Sequence, residues 1–369
     1  MAKPRLSLVR RKLLRWYDKN RRDLPWRVTR DSYAIWIAET MLQQTQVKTV
    51  LPYYERFLKA LPTVDALQRA PLRKILALWS GLGYYRRAEN LKKAAQEIAS
   101  RHGGEIPNNY ATLRSLPGIG DYTAGALMSI AFNQPFPALD GNARRVLKRV
   151  FSITKERELQ TVAGRLVSRS RPGYFNQGMM ELGATICRSR TPDCGHCPIA
   201  QYCAGRLSRF DRSKQRSKTT QGIKNVDWPL ALIIGNNHKI LLRRRTTHGI
   251  LAGLWELPGS ERRIRETRRA TLERNLKGLD GALKYEGMTG QFRHTITNRK
   301  INSSVFLFSI LPGTKVKLPD RNWRWFTPSS LSAHPIAAMT HKAIRLVDSA
   351  GNGPRTHRGD EARGAEVFD

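Results

Sequence analysis

The first 204 residues show the hydrophobic periodicity of helices. Val9, Leu13 and Trp16 are spaced by three or four positions, and Arg and Lys fill the other faces of that segment. A longer apolar-periodic pattern over residues 32–50 predicts another helical segment. We therefore predict a mainly α domain over residues 1–204.

After residue 228 the pattern changes to short apolar runs separated by turn residues. The predicted elements are a β-hairpin from strands 230–234 and 240–242, a helix over 261–276, and strands over 305–311 and 323–326. This mixture predicts an α+β domain over residues 228–349.

Two segments contain few residues that could enter a core. Residues 205–227 are polar and basic, and we interpret them as an interdomain linker. Residues 350–369 are rich in Gly and Arg, and we expect this tail to be disordered.

The charge indicates a polyanionic partner. The chain has 369 residues and a formal net charge of +36, from 65 Lys and Arg against 29 Asp and Glu. Residues 1–204 hold 34 basic and 15 acidic side chains, and residues 226–349 hold 21 and nine. With 40% hydrophobic residues the chain is not a disordered polycation, so nucleic acid is the first candidate and an acidic membrane surface the second. No apolar run approaches the roughly 20 residues of a membrane-spanning helix, and we expect no secretory signal.

All four cysteines lie close together, in the pattern C-x6-C-x2-C-x5-C. Disulfides are disfavoured in a chain without a secretory signal. Four thiolates so close in sequence favour a closed site for structural zinc or for an iron–sulfur cluster, and the spacing alone does not choose between them. The four are Cys187, Cys194, Cys197 and Cys203.

A glycine-rich segment, LPGIG at residues 116–120, precedes an apolar helix. Such a hairpin presents unpaired backbone N–H groups, which bind a phosphate without reading a base. The alternative is an ordinary helix–helix turn that needs glycine for positive φ. In so basic a domain we favour phosphate binding at Gly118 and Gly120.

Two carboxylates stand out by their surroundings. Glu39 lies in a mostly apolar stretch, AETMLQQTQV, which favours a buried acid with a raised pKa. Asp140 precedes Gly141 in LDGNARRV, where a helix N-cap is the alternative interpretation. Cleavage of a glycosidic bond requires an acid that protonates the leaving group and a carboxylate that stabilises the sugar cation.

These motifs closely resemble the adenine DNA glycosylase (MutY) family. The resemblance rests on LPW (24–26), AETMLQQTQV (38–47), GLGYYRRAENL (81–91), LPGIGDYTAGA (116–126), LDGNARRV (139–146), MMELGA (179–184) and the cysteine pattern, and it continues more weakly to about residue 346. It implies a helix-hairpin-helix glycosylase domain with a [4Fe–4S] cluster and a Nudix-like domain that recognises the damaged base. The implied reaction is removal of adenine mispaired with 8-oxoguanine or guanine.

The resemblance also assigns roles to residues. It implies that Glu39 is the catalytic acid at adenine N7 and that Asp140 stabilises or captures the sugar cation. It also implies that Tyr122 helps to position Asp140 and that Asn142 is a polar partner nearby. Further residues are expected in the adenine pocket (Trp26, Arg27, Leu42, Val47 and Glu181), beside the lesion as wedges (Gln43, Gln44 and Tyr84), and at DNA phosphates (Arg188 and Arg190).

Two other functions are weighed against this one. Endonuclease III-like glycosylase/lyases share the hairpin and cluster but carry a nucleophilic Lys where this chain has Tyr122, so we expect a monofunctional enzyme. A non-catalytic iron–sulfur DNA-damage sensor would not need Glu39 and Asp140 together.

The C-terminal domain departs from the family. Ile296, Thr297 and Asn298 stand where a Phe-Ser-His triplet is common, so we expect contacts to the lesion by Thr297 and Asn298 but none of the Phe stacking. Glu261, Glu266 and Glu273 do not form the Nudix REx2EE core, so we expect no pyrophosphohydrolase activity. We expect a monomeric, cytoplasmic, nucleoid-associated bacterial protein with no membrane partner. The sequence identifies no sliding-clamp or mismatch-repair partner.

Overall fold

A computed structural model describes residues 6–207, 222–245, 251–279, 281–296 and 298–348. The chain divides into two compact units. The first unit combines the described residues up to 70 with 86–207, and the second combines 71–85 with those from 222 onward. The predicted boundary at residue 204 is therefore not a single cut in the chain. The predicted tail and most of the predicted linker lie outside the described residues.

Helices dominate residues 6–207, as predicted. They are α1 (Leu6–Asn20), α2 (Ser32–Leu42), α3 (Val47–Ala60), α4 (Val64–Arg69), α5 (Leu72–Leu78), α6 (Arg86–Arg101), α7 (Tyr110–Ser115), α8 (Asp121–Ala126), α9 (Gly141–Phe151), α10 (Glu156–Leu166), α11 (Pro172–Thr185) and α12 (Ala204–Leu207), with a π-helical turn at Leu127–Ala131. Of these, α5 belongs to the second unit.

Polar side chains determine where several helices begin. Asp31 accepts a hydrogen bond from the backbone N–H of Tyr33 at the start of α2, and Thr63 does the same for Ala66 at the start of α4. The single helical pattern predicted over 32–50 forms two helices, because the chain turns between α2 and α3.

One hydrophobic core of the first unit lies among α1, α9, α10 and α11. Leu13 of α1, Val146 of α9 and Leu182 of α11 are almost fully buried in one cluster. Helices α1, α9 and α10 are amphipathic, so burying their apolar faces together leaves most of their basic residues outside the core.

The second unit contains a mixed β-sheet and two further helices. Its elements after residue 222 are β1 (Lys224–Asp227), β2 (Leu230–Ile234), β3 (Ile240–Arg244), β4 (Trp255–Glu256), α13 (Arg268–Leu276), β5 (Leu283–Ile296), β6 (Arg299–Ile310), β7 (Trp323–Phe326) and α14 (Ala338–Asp348). The strand order is β1-β6-β2-β3-β4, with β5 on β6 and β7 on β3.

Strand β2 is buried on both faces of the sheet. Alternate residues of β2 point to opposite sides, so Leu232 enters one core with Ile336 and Ala343 near α14, and Ile233 enters another with Leu272 of α13. Both β1 and β2 pair in parallel with β6, and β5 pairs antiparallel with β6 over its whole length.

Several predictions for this unit are confirmed, and others need correction. The hairpin of β2 and β3 and the strand over 323–326 are present. The helix predicted over 261–276 starts only after Thr267, whose hydroxyl accepts from the N–H of Ala270. The linker predicted to end at 227 contains strand β1, because its backbone bonds to β6.

None of the described helices has the length and apolar character needed to cross a bilayer.

Candidate active site

Glu39 is buried in the first unit. It is 5% exposed, within a run of nine buried residues of α2. Burial raises the pKa of Glu39 to about 7, a shift that the hydrogen bond from Tyr122 opposes and the nearby charge of Asp140 increases. The charge of Arg27 also opposes the shift. The predicted raised pKa is therefore present, and a large fraction of Glu39 is protonated at neutral pH.

Tyr122 connects α8 to Glu39. Its hydroxyl donates a hydrogen bond to Oε2 of Glu39 and lies 3.7 Å from Sδ of Met180. Burial, together with the charges of Glu39 and Asp140, raises the pKa of Tyr122 well above its ordinary value. The phenol therefore remains a neutral donor.

Asp140 is the N-cap of α9. Its Oδ1 accepts from the backbone N–H of Ala143 at 2.6 Å, and its Oδ2 accepts from Nδ2 of Asn142 at 2.9 Å. Burial raises the pKa of Asp140, while these hydrogen bonds oppose that shift. The N-cap interpretation is confirmed, and the same carboxylate also interacts electrostatically with Glu39.

Asn142 is held in place by Arg145. A guanidinium nitrogen of Arg145 donates to Oδ1 of Asn142 and to the carbonyl of Gly183, both at 2.8 Å. Gly183 must be glycine, since a Cβ there would lie 2.6 Å from Cβ of Asn142. Arg145 also donates to the carbonyl of Cys187 at 3.0 Å, so the cysteine loop and the surroundings of Asp140 share one hydrogen-bonded residue.

All four cysteines line a single cavity. In the described part of the chain, no three His, Cys, Asp or Glu side chains approach closely enough to hold one metal ion. Four thiols around one cavity are the donor set of an iron–sulfur cluster or of a structural zinc site. Nη1 of Arg149 lies 3.4 Å from Sγ of Cys187. Arg149 also bonds to the carbonyls of Arg188 and Ser189, both at 2.7 Å.

Glu181 forms a buried ion-pair group in the first unit. It is 1% exposed and accepts from Arg22 at 2.6 and 2.9 Å and from Arg27 at 2.5 Å. Burial alone would raise the pKa of Glu181, but the hydrogen bonds from the two arginines outweigh it and lower the pKa. Sequence reasoning missed Arg22, whose partner lies 159 residues away.

The other predicted pocket residues lie around α2. Trp26 is buried and packs edge-to-face against Tyr54, with ring centroids 5.2 Å apart. Leu42 and Val47 are half-buried at the end of α2 and the start of α3.

The turn between α2 and α3 carries the two predicted wedge glutamines. Nε2 of Gln43 donates to Thr123 at 3.1 Å, and Gln44 is exposed with a left-handed φ of 57°. One guanidinium nitrogen of Arg87 donates to the carbonyls of Thr40, Met41 and Gln43 at 2.6–2.9 Å, which ends α2 at this turn. Sequence reasoning missed Arg87. Tyr84 lies in the other unit, where it is 45% exposed.

The glycine-rich segment forms a tight turn between α7 and α8. Gly118 has a φ of 79°, and a Cβ there would lie 2.7 Å from Cβ of Asn90. Gly120 is the N-cap residue of α8. The positive φ of Gly118 fits the interpretation as a turn that needs glycine, and phosphate binding at Gly118 and Gly120 stays a prediction.

The remaining predicted residues are at the surface or outside the described chain. Arg188 and Arg190 are exposed, and Nε of Arg188 donates to the carbonyl of Thr191 at 3.2 Å. Asn298 is exposed, Ile296 is half-buried, and Thr297 lies outside the described residues.

The three glutamates around α13 are each bound to arginine. Glu266 pairs with Arg274 at 2.8 Å, and hydrogen bonding, chiefly from Arg274, lowers its pKa to about 2. Glu273 pairs with Arg269 at 3.0 Å. Glu261 pairs with Arg299 at 3.6 Å.

Both units match known families. Residues 37–168 match the HhH-GPD superfamily of base excision DNA repair proteins, and residues 230–346 match the NUDIX domain. Among solved structures, a thermostable thymine-DNA glycosylase is 30% identical, with a TM-score of 0.52, and covers 55% of this chain and 97% of its own.

Curated relatives extend the similarity over most of the chain. The human protein named adenine DNA glycosylase is 32% identical over an alignment of 419 residues, which covers 96% of this chain and 76% of that protein. The protein of the same name from Buchnera aphidicola subsp. Baizongia pistaciae is 40% identical over 254 residues, and the match covers 67% of this chain and 72% of that protein.

Proposed function

The chain belongs to the adenine DNA glycosylase family, and on this premise we propose that it removes adenine mispaired with 8-oxoguanine or guanine from duplex DNA. The product is an abasic site. The observation that carries the proposal is the pairing of a buried, protonatable acid, Glu39, with a half-buried carboxylate, Asp140, whose charge raises the pKa of Glu39.

The first step is protonation of the leaving group. Glu39 donates its proton to N7 of the adenine, which makes the base a better leaving group. The bond from C1′ to N9 then breaks and its electron pair stays with adenine. A pKa of about 7 suits this role, because an acid is most effective when its pKa lies near the working pH.

The second step concerns the sugar cation. Asp140 stabilises the positive charge at C1′ until water adds there and loses a proton, which gives the abasic site. The Asn142 amide and the Ala143 N–H hold both oxygens of Asp140. Tyr122 offers no amine for a Schiff base, so the enzyme is monofunctional and has no lyase step.

Adenine must leave the base stack to reach Glu39, which costs a few kcal/mol. We assign the side chains that insert beside the lesion, and so offset this cost, to Gln43, Gln44 and Tyr84. The residues that receive the flipped adenine are Trp26, Arg27, Leu42, Val47 and Glu181.

The remaining contacts bind the DNA backbone and recognise the damaged base. Gly118 and Gly120 present backbone N–H groups to a phosphate, and Arg188 and Arg190 add side-chain contacts to the backbone. In the second unit, Thr297 and Asn298 contact the damaged base.

The four cysteines hold a [4Fe–4S] cluster. Its contribution is structural, since four ligated thiolates fix a loop with little apolar core of its own. Arg145 and Arg149 attach that loop to α9, the helix that begins at Asp140.

A single-turnover assay on a duplex with one A:8-oxoguanine pair tests the proposal. Wild-type protein releases adenine, and Glu39→Gln and Asp140→Asn abolish nearly all release. Glu158→Gln, an exposed change on α10, keeps the wild-type rate. Tight binding to the mispair without any release would instead indicate a non-catalytic damage sensor.

A further inference from the structure

The first unit has a basic cleft that the proposed function does not use. The cleft, called here the α1 groove, lies between α1 and the segment that follows α10. Its lining consists of Ser7, Arg10, Arg11, Leu14, Arg15, Asp18, Ser168, Arg169, Ser170 and Arg171. None of these residues belongs to the candidate active site, the glycine-rich turn or the cysteine loop.

Two of its arginines connect the two sides of the groove. Arg10 donates to the carbonyls of Arg165 and Leu166, both at 2.8 Å, and so satisfies the C-terminal end of α10. Arg171 forms a two-point ion pair with Asp18 at 2.5 and 3.0 Å. The cleft is therefore a connected structure rather than a loose gap between side chains.

Three other arginines have no such role. Arg11, Arg15 and Arg169 are exposed, and within the described part of the chain none of them forms an ion pair or donates a side-chain hydrogen bond. The lining contains a single carboxylate, Asp18, which Arg171 already occupies. Three uncompensated like charges around one cleft repel each other, and an anionic ligand removes that repulsion.

We propose that the α1 groove is an additional binding site for the phosphate backbone of duplex DNA, contacted by Arg11, Arg15 and Arg169. Arg11 and Arg15 are one helical turn apart, about 5–6 Å, and Arg169 comes from the opposite wall. Cations spread along two walls match a row of phosphates better than one small anion. Arginine also suits phosphate oxygens because of its planar, multiple donors. The inference relies on the proposed function only for the nature of the partner.

The test is the salt dependence of binding to undamaged duplex DNA. The triple variant Arg11→Gln/Arg15→Gln/Arg169→Gln loses three phosphate contacts, so the log–log salt slope becomes shallower by about 2.7, and affinity at 0.1 M salt falls roughly 10- to 100-fold. The matched control is Lys59→Gln/Lys93→Gln/Arg157→Gln, which removes the same charge from exposed positions outside the groove. Thermal unfolding of both variants verifies that each is folded.

A second variant changes affinity in the opposite direction. Asp18→Asn releases Arg171 from its carboxylate, so we expect tighter binding and a slope steeper by about one. Single-turnover adenine release at saturating enzyme stays unchanged in the triple variant, which separates this site from the catalytic one. Binding to undamaged DNA does not depend on excision, so failure of either proposal is recognised separately.

Two results overturn the proposal. One is a triple variant whose affinity and salt slope equal those of the control. The other is a triple variant that loses affinity for inorganic tripolyphosphate while its duplex affinity matches the control, because the groove then takes a free polyphosphate instead of DNA.

Discussion

The hydroxyl of Tyr122 donates its hydrogen bond to Oε2 of Glu39. Because the pKa of Tyr122 is raised well above its ordinary value, this phenol remains a donor throughout the physiological pH range. A carboxylic acid that accepts at Oε2 has Oε1 left to carry its own proton. The contact therefore indicates Oε1 as the atom from which adenine receives its proton.

The rate of excision should fall with rising pH. Catalysis needs protonated Glu39, whose raised pKa is about 7, so the single-turnover rate should decrease as pH passes through about 7. The measurement is a pH profile of adenine release at saturating enzyme. An acid with the ordinary pKa of glutamate would show this decrease near pH 4.5 instead.

Tyr122→Phe should move this decrease to higher pH. The hydrogen bond from Tyr122 stabilises the charged form of Glu39 and lowers its pKa, so its removal raises the pKa further. The maximum rate falls as well, but the position of the descending limb is the informative quantity. A limb that stays in place or moves to lower pH contradicts the assigned hydrogen bond.

Asp140 should reveal two separable roles. Asn caps a helix about as well as Asp, so Asp140→Asn should keep the stability of α9 while abolishing excision. Asp140→Ala loses the cap too, which lowers the free energy of unfolding by about 1 kcal/mol. Chemical denaturation alongside the excision assay distinguishes the two variants, and equal stability would count against the capping role.

Glu181 and Arg22 should differ in their effect on stability. Glu181→Leu leaves Arg27, whose side chain is 8% exposed, without its carboxylate, and should lower the free energy of unfolding by about 3 kcal/mol. Arg22→Ala removes a side chain that is 42% exposed and leaves the Arg27 pair intact, so about 1 kcal/mol is expected. Urea denaturation of both variants measures the difference, and similar losses would mean that Arg27 does not depend on Glu181.

The purified protein should contain iron rather than zinc. Metal analysis is expected to give about four irons per chain, with a brown colour from sulfur-to-iron charge transfer. Cys197→Ser should lose both the colour and thermal stability. Stoichiometric zinc in a colourless, folded protein would contradict the cluster.

The sequence is sufficient to predict features whose interacting residues lie close together in the chain. The sequence predicts the buried acid at Glu39 and the hairpin of β2 and β3, and it offers the N-cap at Asp140 as an alternative interpretation. Each depends on neighbours within a few residues, or on the apolar character of one element.

Long-range partners were beyond that reasoning. Arg22, Arg87 and Arg145 looked like ordinary members of a basic surface, yet each binds groups 38 to 159 residues away. Strand β5 was missed because its side chains are only partly buried and its register is interrupted near Gly287 and Gly290. A half-exposed strand with bulges lacks the regular alternation that identifies strands from sequence.

The division of the chain has a consequence for proteolysis. Residues 71–85 belong to the second unit, where the hydroxyl of Ser80 bonds to the carbonyl of Ile336, and both Ile75 and Trp79 are fully buried. Cleavage between residues 207 and 222 therefore leaves residues 71–85 covalently attached to the first unit at both ends and separates them from the rest of the second unit. A fragment that ends at residue 207 retains α5 but lacks the partners of that helix, so neither limited digestion nor truncation there yields two intact halves.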